Sequence, residues 1–350
     1  MLSAHSLRLL HVWIGASLLI AGCGAGSTRR SSSTPTLSAA SQAPSRVSQR
    51  PTLRFLVITK TTQKLDSVVW TGSQFLYVQN TKNTVWAAPP AGRPLHEFAR
   101  MPALVEETRC VLSPGGHGFA PAAIFCHAPD NRIYELSAAG SKVTLFATIH
   151  APYPPAADGA LAFDSSSRFG YRLLAATGRS GGARPAGGLV YAIDPHGHVQ
   201  QLGRYAGPGG ADELVIAPRR FGSAGGDALL TVDAGGSGGA VVAFDPSGKT
   251  RTIATFPYGP NPIAPIPKLP ATGVRTRAVP GLYLNDDKTG YTYMAPAASL
   301  ARYAGEVIVG TESPRALFWI LEPSGNRFAE IPLRDNVPPG TSLEQAIIVP

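Results

Sequence analysis

Past residue 50 the apolar positions fall into short β-rich runs separated by turns, and no amphipathic helical period persists. Five stretches share one design. Trp86 to Gly92 precedes Leu95 to Phe98, and Tyr134 to Gly140 precedes Val143 to Phe146. Tyr191 to Gly197 precedes Val199 to Leu202, Val242 to Gly248 precedes Thr252 to Thr255, and Trp319 to Gly325 precedes Phe328 to Ile331. Each reads as a strand, a tight turn ending in Gly, and a second strand. In four of the five a Pro presets φ within the turn, and in all five the Gly supplies a positive φ at its end. The turn glycines are 48, 57, 51 and 77 residues apart, so one hairpin recurs about every fifty residues. Such a period predicts an all-β chain built as propeller blades.

The remainder of each unit agrees. A further strand precedes each hairpin: Phe75–Val78, Ala123–Cys126, Leu173–Ala176, Leu229–Val232 and Val307–Val309. In four units an apolar strand led by an acid comes before that one. These strands start at Asp66, Glu107, Asp158 and Asp212, the last followed by Glu213. The chain ends on a matching strand, Leu343 to Val349, with Glu344 at its head. Pairing the unassigned strand Leu53–Thr59 into this last blade would close the ring and remove exposed edges. The expectation is a six-bladed β-propeller over residues 51–350. Five or seven blades stay open, because the fifth unit is long and both Gly281–Leu284 and Tyr291–Met294 compete for its opening strand. The pattern resembles the propeller superfamily that holds NHL-repeat proteins, the gluconolactonase-like family and soluble quinoprotein sugar dehydrogenases. The resemblance rests on general blade features.

Composition and charge refine this picture. The 38 Gly and 32 Pro of the 350 residues argue against a helical bundle. The net charge of +9 comes from 31 Lys and Arg against 22 acids. Its distribution matters more than its size. Arg8 lies in the leader and four arginines lie at 29, 30, 46 and 50, so 26 basic residues remain against 22 acids, +4 for residues 51–350. Nucleic-acid binding is therefore not expected of the domain.

The leader explains the rest of the charge. Arg8 is followed by the apolar run Leu9–Ile20, too short for a comfortable membrane span, and then by Ala21, Gly22 and Cys23. An aliphatic residue, two small residues and a Cys resemble the lipobox of bacterial lipoproteins. The resemblance implies that residues 1–22 are removed and that Cys23 is acylated, which ties the chain to a membrane on the extracytoplasmic side. Residues 23–50 are rich in Ser, Thr, Ala and Pro and lack acids and aromatics, the composition of a flexible tether. Its arginines suit contact with anionic headgroups and suit equally a merely soluble spacer.

Two other cysteines remain, Cys110 and Cys126. Their midpoint falls in the turn Gly115–Gly118, which sets them opposite each other in a hairpin and predicts a disulfide in an oxidising compartment.

The acid-led strands form the leading candidate site. Innermost strands converge on the central channel, so Asp66, Glu107, Asp158, Asp212 or Glu213, and Glu344 would share one rim. Clustered carboxylates call for a cation, either Ca2+ or another divalent ion, or for basic partners such as Arg109, Arg277 or Lys64. In the gluconolactonase-like family a Glu, an Asn and an Asp on such rims hold a divalent metal. Asp66 stands where that family opens with Glu-Gly-Pro, but Ser67 and Val68 follow it and no matching Asn is evident.

Other patterns have plainer readings. Gly178-x-Ser180-x-Gly182 and Gly235-x-Ser237-x-Gly239 fit a nucleophile elbow, but they recur at one place in successive blades with no helix after them. His196 and His198 lie in a hairpin turn without a third ligand. Asn285–Gly290 has Pro296 where a calcium loop needs Glu, and reads as a β-turn. The proline-rich stretch Pro257–Pro270 reads as a loop over one mouth.

Three functions follow. The first is a binding module for a small ligand, a glycan or a protein at the propeller face. The second is a metal-dependent hydrolase or lactonase using the acid ring. The third is a quinone-dependent sugar dehydrogenase, for which His117, His127 and His150 are the candidate bases. Whether the chain is an enzyme is left undecided by these residues.

Overall fold

The computed structural model describes residues 51–350 apart from 80–81, 106, 153–158, 179–186, 208, 235–236, 269–277 and 313–314, and apart from the side chains of 103–105. It is a six-bladed β-propeller with four strands in every blade. A lone strand β1 (Leu56–Lys60) comes first. Blade one is β2 (Leu65–Trp70), β3 (Phe75–Gln79), β4 (Lys82–Ala88) and β5 (His96–Val105). Blade two is β6 (Arg109–Leu112), β7 (Ile124–His127), β8 (Arg132–Leu136) and β9 (Val143–Thr148). Blade three is β10 (Gly159–Phe163), β11 (Leu173–Thr177), β12 (Gly188–Ile193) and β13 (Val199–Tyr205). Blade four is β14 (Gly210–Ile216), β15 (Ala228–Asp233), β16 (Gly239–Phe244) and β17 (Thr250–Phe256). All the pairings within these blades are antiparallel. The five turn glycines adopt the positive φ expected of them, from +61° at Gly325 to +86° at Gly248.

The last two blades are interleaved. Blade five starts with β18 (Pro260–Pro265), and the chain then leaves to form the hairpin β19 (Gly281–Asp286) and β20 (Tyr291–Pro296). It returns for β21 (Val307–Thr311), β22 (Phe318–Ser324) and β23 (Arg327–Pro332), which complete blade five. The hairpin belongs to blade six. There β24 (Leu343–Val349) is innermost, β19 and β20 lie in the middle, and β1 is outermost. The N-terminal strand thus closes the ring through β20, and the two segments that competed for the opening of unit five both serve its neighbour.

The true opening strand of blade five lies in the proline-rich stretch expected to be a loop. An innermost strand is hydrogen-bonded on one side only, here to β21. Pro260, Pro262 and Pro265 therefore sit in an edge strand, where a missing N–H costs little, and a bulge between Pro260 and Ile263 takes up the irregularity. The neighbouring Asn285–Gly290 segment is the β19–β20 turn, with Asp286 accepting from the Lys288 and Ser342 amides.

Six hydrophobic clusters hold the ring, one at each blade-to-blade interface. Leu76, Met101 and Ile124 fill the first interface, and Phe125, Leu161 and Leu173 the second. Leu174, Leu214 and Phe244 fill the third, and Phe221, Val241 and Val309 the fourth. Leu284, Ile308 and Phe318 join blades five and six, and Val68, Phe75 and Tyr283 join blade six to blade one. Each such side chain contributes about 1.5–3 kcal/mol when fully buried. These clusters all lie within Gln49–Pro350, which forms a compact unit by itself. Among the described residues no helix is long and apolar enough to cross a membrane.

His127 is buried between blades two and three, against Gly159, where an added Cβ would come within 2.5 Å of the imidazole Nδ1. Burial pushes its pKa down to about 4 from 6.5. An unfolded chain protonates this ring first, so its contribution to stability is complete above pH 6.5 and is lost as pH falls towards 4. The loss is on the order of 2–3 kcal/mol at pH 4. Urea melts of wild type and His127→Asn should diverge above pH 6.5 and converge by pH 4. Parallel curves across that range would overturn this assignment.

Candidate functional site

The inner strands β2, β6, β10, β14, β18 and β24 surround the channel, each with one unpaired edge facing it. At the end where these strands begin, side chains plug the channel in two layers. The outer layer is centred on Arg109 of β6, which is 1% exposed. Its Nη1 donates to Asp66 Oδ1. Its Nη2 donates to Glu344 Oε2 at 3.0 Å and to Asn261 Oδ1 at 3.2 Å, and its Nε donates to the Asp212 carbonyl at 3.1 Å. One guanidinium therefore joins five of the six inner strands. Asn261 Nδ2 also donates to Glu344 Oε2, at 2.9 Å, and to Glu312.

The second layer satisfies backbone groups on the unpaired edges. Gln345 Oε1 accepts from Ser67 Oγ and from the Val68 amide at 2.9 Å, while Ser67 Oγ accepts from the Cys110 amide at 3.0 Å. Glu213 accepts from the Ile263 amide at 2.7 Å and from the Ala346 amide at 3.4 Å. Buried N–H groups are rarely left unpaired, and here side chains replace the sheet ladder.

Burial dominates the electrostatics. It pushes Asp66 up to about 7 although Arg109 opposes the shift. Glu213 is pushed up to about 8 and Glu312 to about 7, in each case chiefly by burial. Glu344 is raised by burial and by the neighbouring Glu312 carboxyl. The Arg109 guanidinium stays charged: burial opposes its charge, and the surrounding acids Asp66, Glu344, Asp212 and Glu107 together outweigh that desolvation.

The sequence-derived candidates are thus distributed unevenly. Asp66 and Glu344 converge on Arg109, one of the basic partners named for them. Asp212 reaches the same guanidinium through its carbonyl, and Glu213 lies one layer deeper. Glu107 is half-buried at a left-handed backbone position, φ 50°, just before β6. Asp158, Arg277 and Cys23 lie outside the described residues. Asn261 was missed because its strand hides among prolines. Among the described residues no group of three His, Cys, Asp or Glu is arranged to hold a metal ion. A cation at the focus of Asp66 and Glu344 would meet the guanidinium already there.

The candidate histidines are scattered. His117 stacks on Tyr171 on the exposed loops of blades two and three, with ring centroids 3.7 Å apart. His127 is buried, His150 is exposed, and His198 Nδ1 pairs with Asp194 on the blade-three turn. Ser237 lies in a turn with no helix of any length after it, and Ser180 lies outside the described residues. Cys110 and Cys126 form a disulfide, directly opposite each other on β6 and β7 with Cα atoms 4.1 Å apart.

The opposite end of the channel, where the inner strands finish, is open. A recess of about 450 Å³ is lined there by Trp70, Val111, Leu112, Phe163, Ile347 and Ile348 among others. It adjoins a broader recess of about 1020 Å³ beside blades four and five, and Ile216, Pro265 and Ile348 border both. Arg219, Arg220 and Lys268 rim the broader one.

Comparison with solved structures agrees with the propeller fold. A chain of the nidogen/laminin complex aligns with TM-score 0.51 and 9% identity over 82% of this chain and 85% of its own. A PQQ-bound aldose sugar dehydrogenase from Streptomyces coelicolor aligns with TM-score 0.49 and 13% identity, covering 85% of this chain and all of its own. A putative 6-phosphogluconolactonase from Bacteroides uniformis reaches TM-score 0.36 and 12% identity over 54% of this chain and 53% of its own. At these identities the likeness is one of fold. No family model and no curated sequence matches the chain.

Proposed function

We propose that the chain is a lipid-anchored, extracytoplasmic binding module whose propeller takes a ligand at the open mouth of its channel. The observation that carries this reading is the asymmetry of the channel. At one end Asp66, Glu344 and Asn261 are bound to Arg109, which engages the groups that a metal or a catalytic base would require. The other end is a recess of ligand size, within or close to the roughly 300–1,000 Å³ typical of such sites. The leader and tether supply the address: Cys23 takes the lipid, and residues 24–50 hold the propeller off the membrane.

Two measurements test the two halves. Expressed in a bacterium with labelled palmitate, the chain should carry label and sediment with membranes, and Cys23→Ser should abolish both. Label that persists in the variant would sink the anchor. For the mouth, hydrogen exchange of Gln49–Pro350 with and without a ligand pool should slow exchange in the segments around Ile216 and Ile348. Protection confined to the Arg109 end would place the site there instead.

A further inference from the structure

The lining of the open mouth is specific enough to define a class of ligand. The inner recess presents the apolar side chains of Trp70, Val111, Leu112, Phe163 and Ile348, each only partly covered by protein. Its floor is the second plug layer. Among the described residues Glu213 is the only Asp or Glu that lines it, and the Ile263 and Ala346 amides already engage that carboxyl. The described residues lining the outer recess include no Asp or Glu, and Arg219, Arg220 and Lys268 stand at its rim. Arg219 is held in place by Nη2 donating to the Ser166 carbonyl at 3.2 Å.

Asp164 precedes the lining Ser165, Asp227 accepts from the lining Ala217 amide through its carbonyl, and Glu306 follows the lining Gly305. Asp164 accepts from the amides of Ser166 at 2.8 Å, Phe169 at 2.8 Å and Tyr171 at 2.9 Å, which shapes the loop bearing Ser166. Asp227 pairs with Arg168. Among the described residues that line the outer recess none opposes a negative charge, and the side chains that line the inner recess are mostly apolar, while unpaired backbone groups of the inner strands add polar surface.

Resting on the reading of this mouth as the ligand site, we infer that its ligand is a single amphiphile, an extended apolar chain that carries one anionic group. The chain lies in the inner recess against Leu112, Phe163 and Ile348. The carboxylate or phosphate lies in the outer recess, within reach of Arg219, Arg220 and Lys268. Apolar burial supplies most of the affinity, about 0.8 kcal/mol per methylene buried. The cations select the sign of the head and make binding depend on salt.

Oleate is the probe that tests this, displacing the fluorescent fatty acid cis-parinarate from Gln49–Pro350, with energy transfer from the lining Trp70 as the signal. Oleate should compete with one-to-one stoichiometry. Decanol and dodecyltrimethylammonium should bind at least 10-fold more weakly, and butyrate should not compete. Arg220→Glu and Lys268→Glu together should weaken oleate at least 10-fold without changing the melting temperature, since both residues are exposed. Ile347→Glu should abolish displacement, with a melt to show that the ring is intact. If the neutral or cationic probe binds as tightly as oleate, the anionic class is overturned while the mouth stands as the site. If no probe binds, both readings fall. The source of the chain is resolved by vesicles of phosphatidylglycerol: co-sedimentation without one-to-one oleate binding would overturn the single-molecule site in favour of a surface that docks on a bilayer.

Discussion

Arg109→Met should destabilise the propeller by about 3–5 kcal/mol, the usual cost of removing one partner from a buried ionic network. Asp66 and Glu344 would keep their burial and lose the cation they share. Five inner strands also lose the one side chain that links them across the channel. The effect should depend on pH in a definite direction. The buried carboxyls have raised pKa values, about 7 for Asp66 and about 8 for Glu213, so the folded chain binds more protons than the unfolded one between about pH 4 and 8. Their contribution is complete at low pH and is lost as pH rises through 7 to 8. Without Arg109 the same carboxyls rise further, and the variant should recover part of its deficit at pH 5. Urea midpoints at pH 5 and pH 8 measure this. Adding Asp66→Asn and Glu344→Gln to Arg109→Met should restore much of the loss. A single variant within about 1 kcal/mol of wild type at pH 8 would show that the plug does not hold the ring.

Removing the Cys110–Cys126 disulfide should cost about 3 kcal/mol, the value expected for closing a loop of this length. The bridge spans 16 residues and joins β6 to β7. Those strands are the shortest pair in the ring, four residues each, and β6 also carries Arg109. The disulfide thus steadies the strand that positions the plug. Cys110→Ala with Cys126→Ala should lower the urea midpoint, and dithiothreitol should act on wild type but not on the double variant. An unchanged midpoint would mean that packing around Leu136 and Tyr134 already fixes this hairpin.

Much of the architecture is legible in the sequence for a physical reason. A blade's outer hairpin needs a positive φ at a fixed place, and glycine marks it, so Gly92, Gly140, Gly197, Gly248 and Gly325 could be aligned by eye. Inner strands are equally visible where an acid leads an apolar run, as at Asp66, Asp212 and Glu344. Blade five keeps the first habit, at Gly325, and breaks the second. Its inner strand has Asn261 in place of an acid and three prolines, because a strand paired on one side can accept them. Sequence patterns report local conformation, and they carry no information about which sheet a hairpin joins. The strands β19 and β20 were therefore visible as strands and invisible as members of blade six.

The candidate site shows the same divide. The acids were legible and their gathering at one mouth follows from their place on the strands. Arg109, two residues after Glu107, was one of three basic partners that the sequence offered, and nothing in the local pattern sets it apart from Arg277 or Lys64. The open mouth leaves almost no mark in the sequence, since Trp70, Leu112, Phe163 and Ile348 look like ordinary core residues and become a lining only when six strand ends meet.

The interleaving of blades five and six also sets a timetable. Blade six takes its outermost strand from residues 56–60, its middle pair from 281–296 and its innermost from 343–349. A chain that emerges from its N-terminus first holds β1 ready long before any partner exists, and the ring cannot shut until the last ten residues are present. Blades one to four can assemble as they appear, while closure waits on contacts between the two ends of the domain, the kind of long-range pairing that is slow. During that interval β1 is an unpaired edge that exposes Leu56 and Val57, both more than half exposed even in the finished ring. The span from β1 to β24, and no shorter portion of it, is the unit that closes the ring.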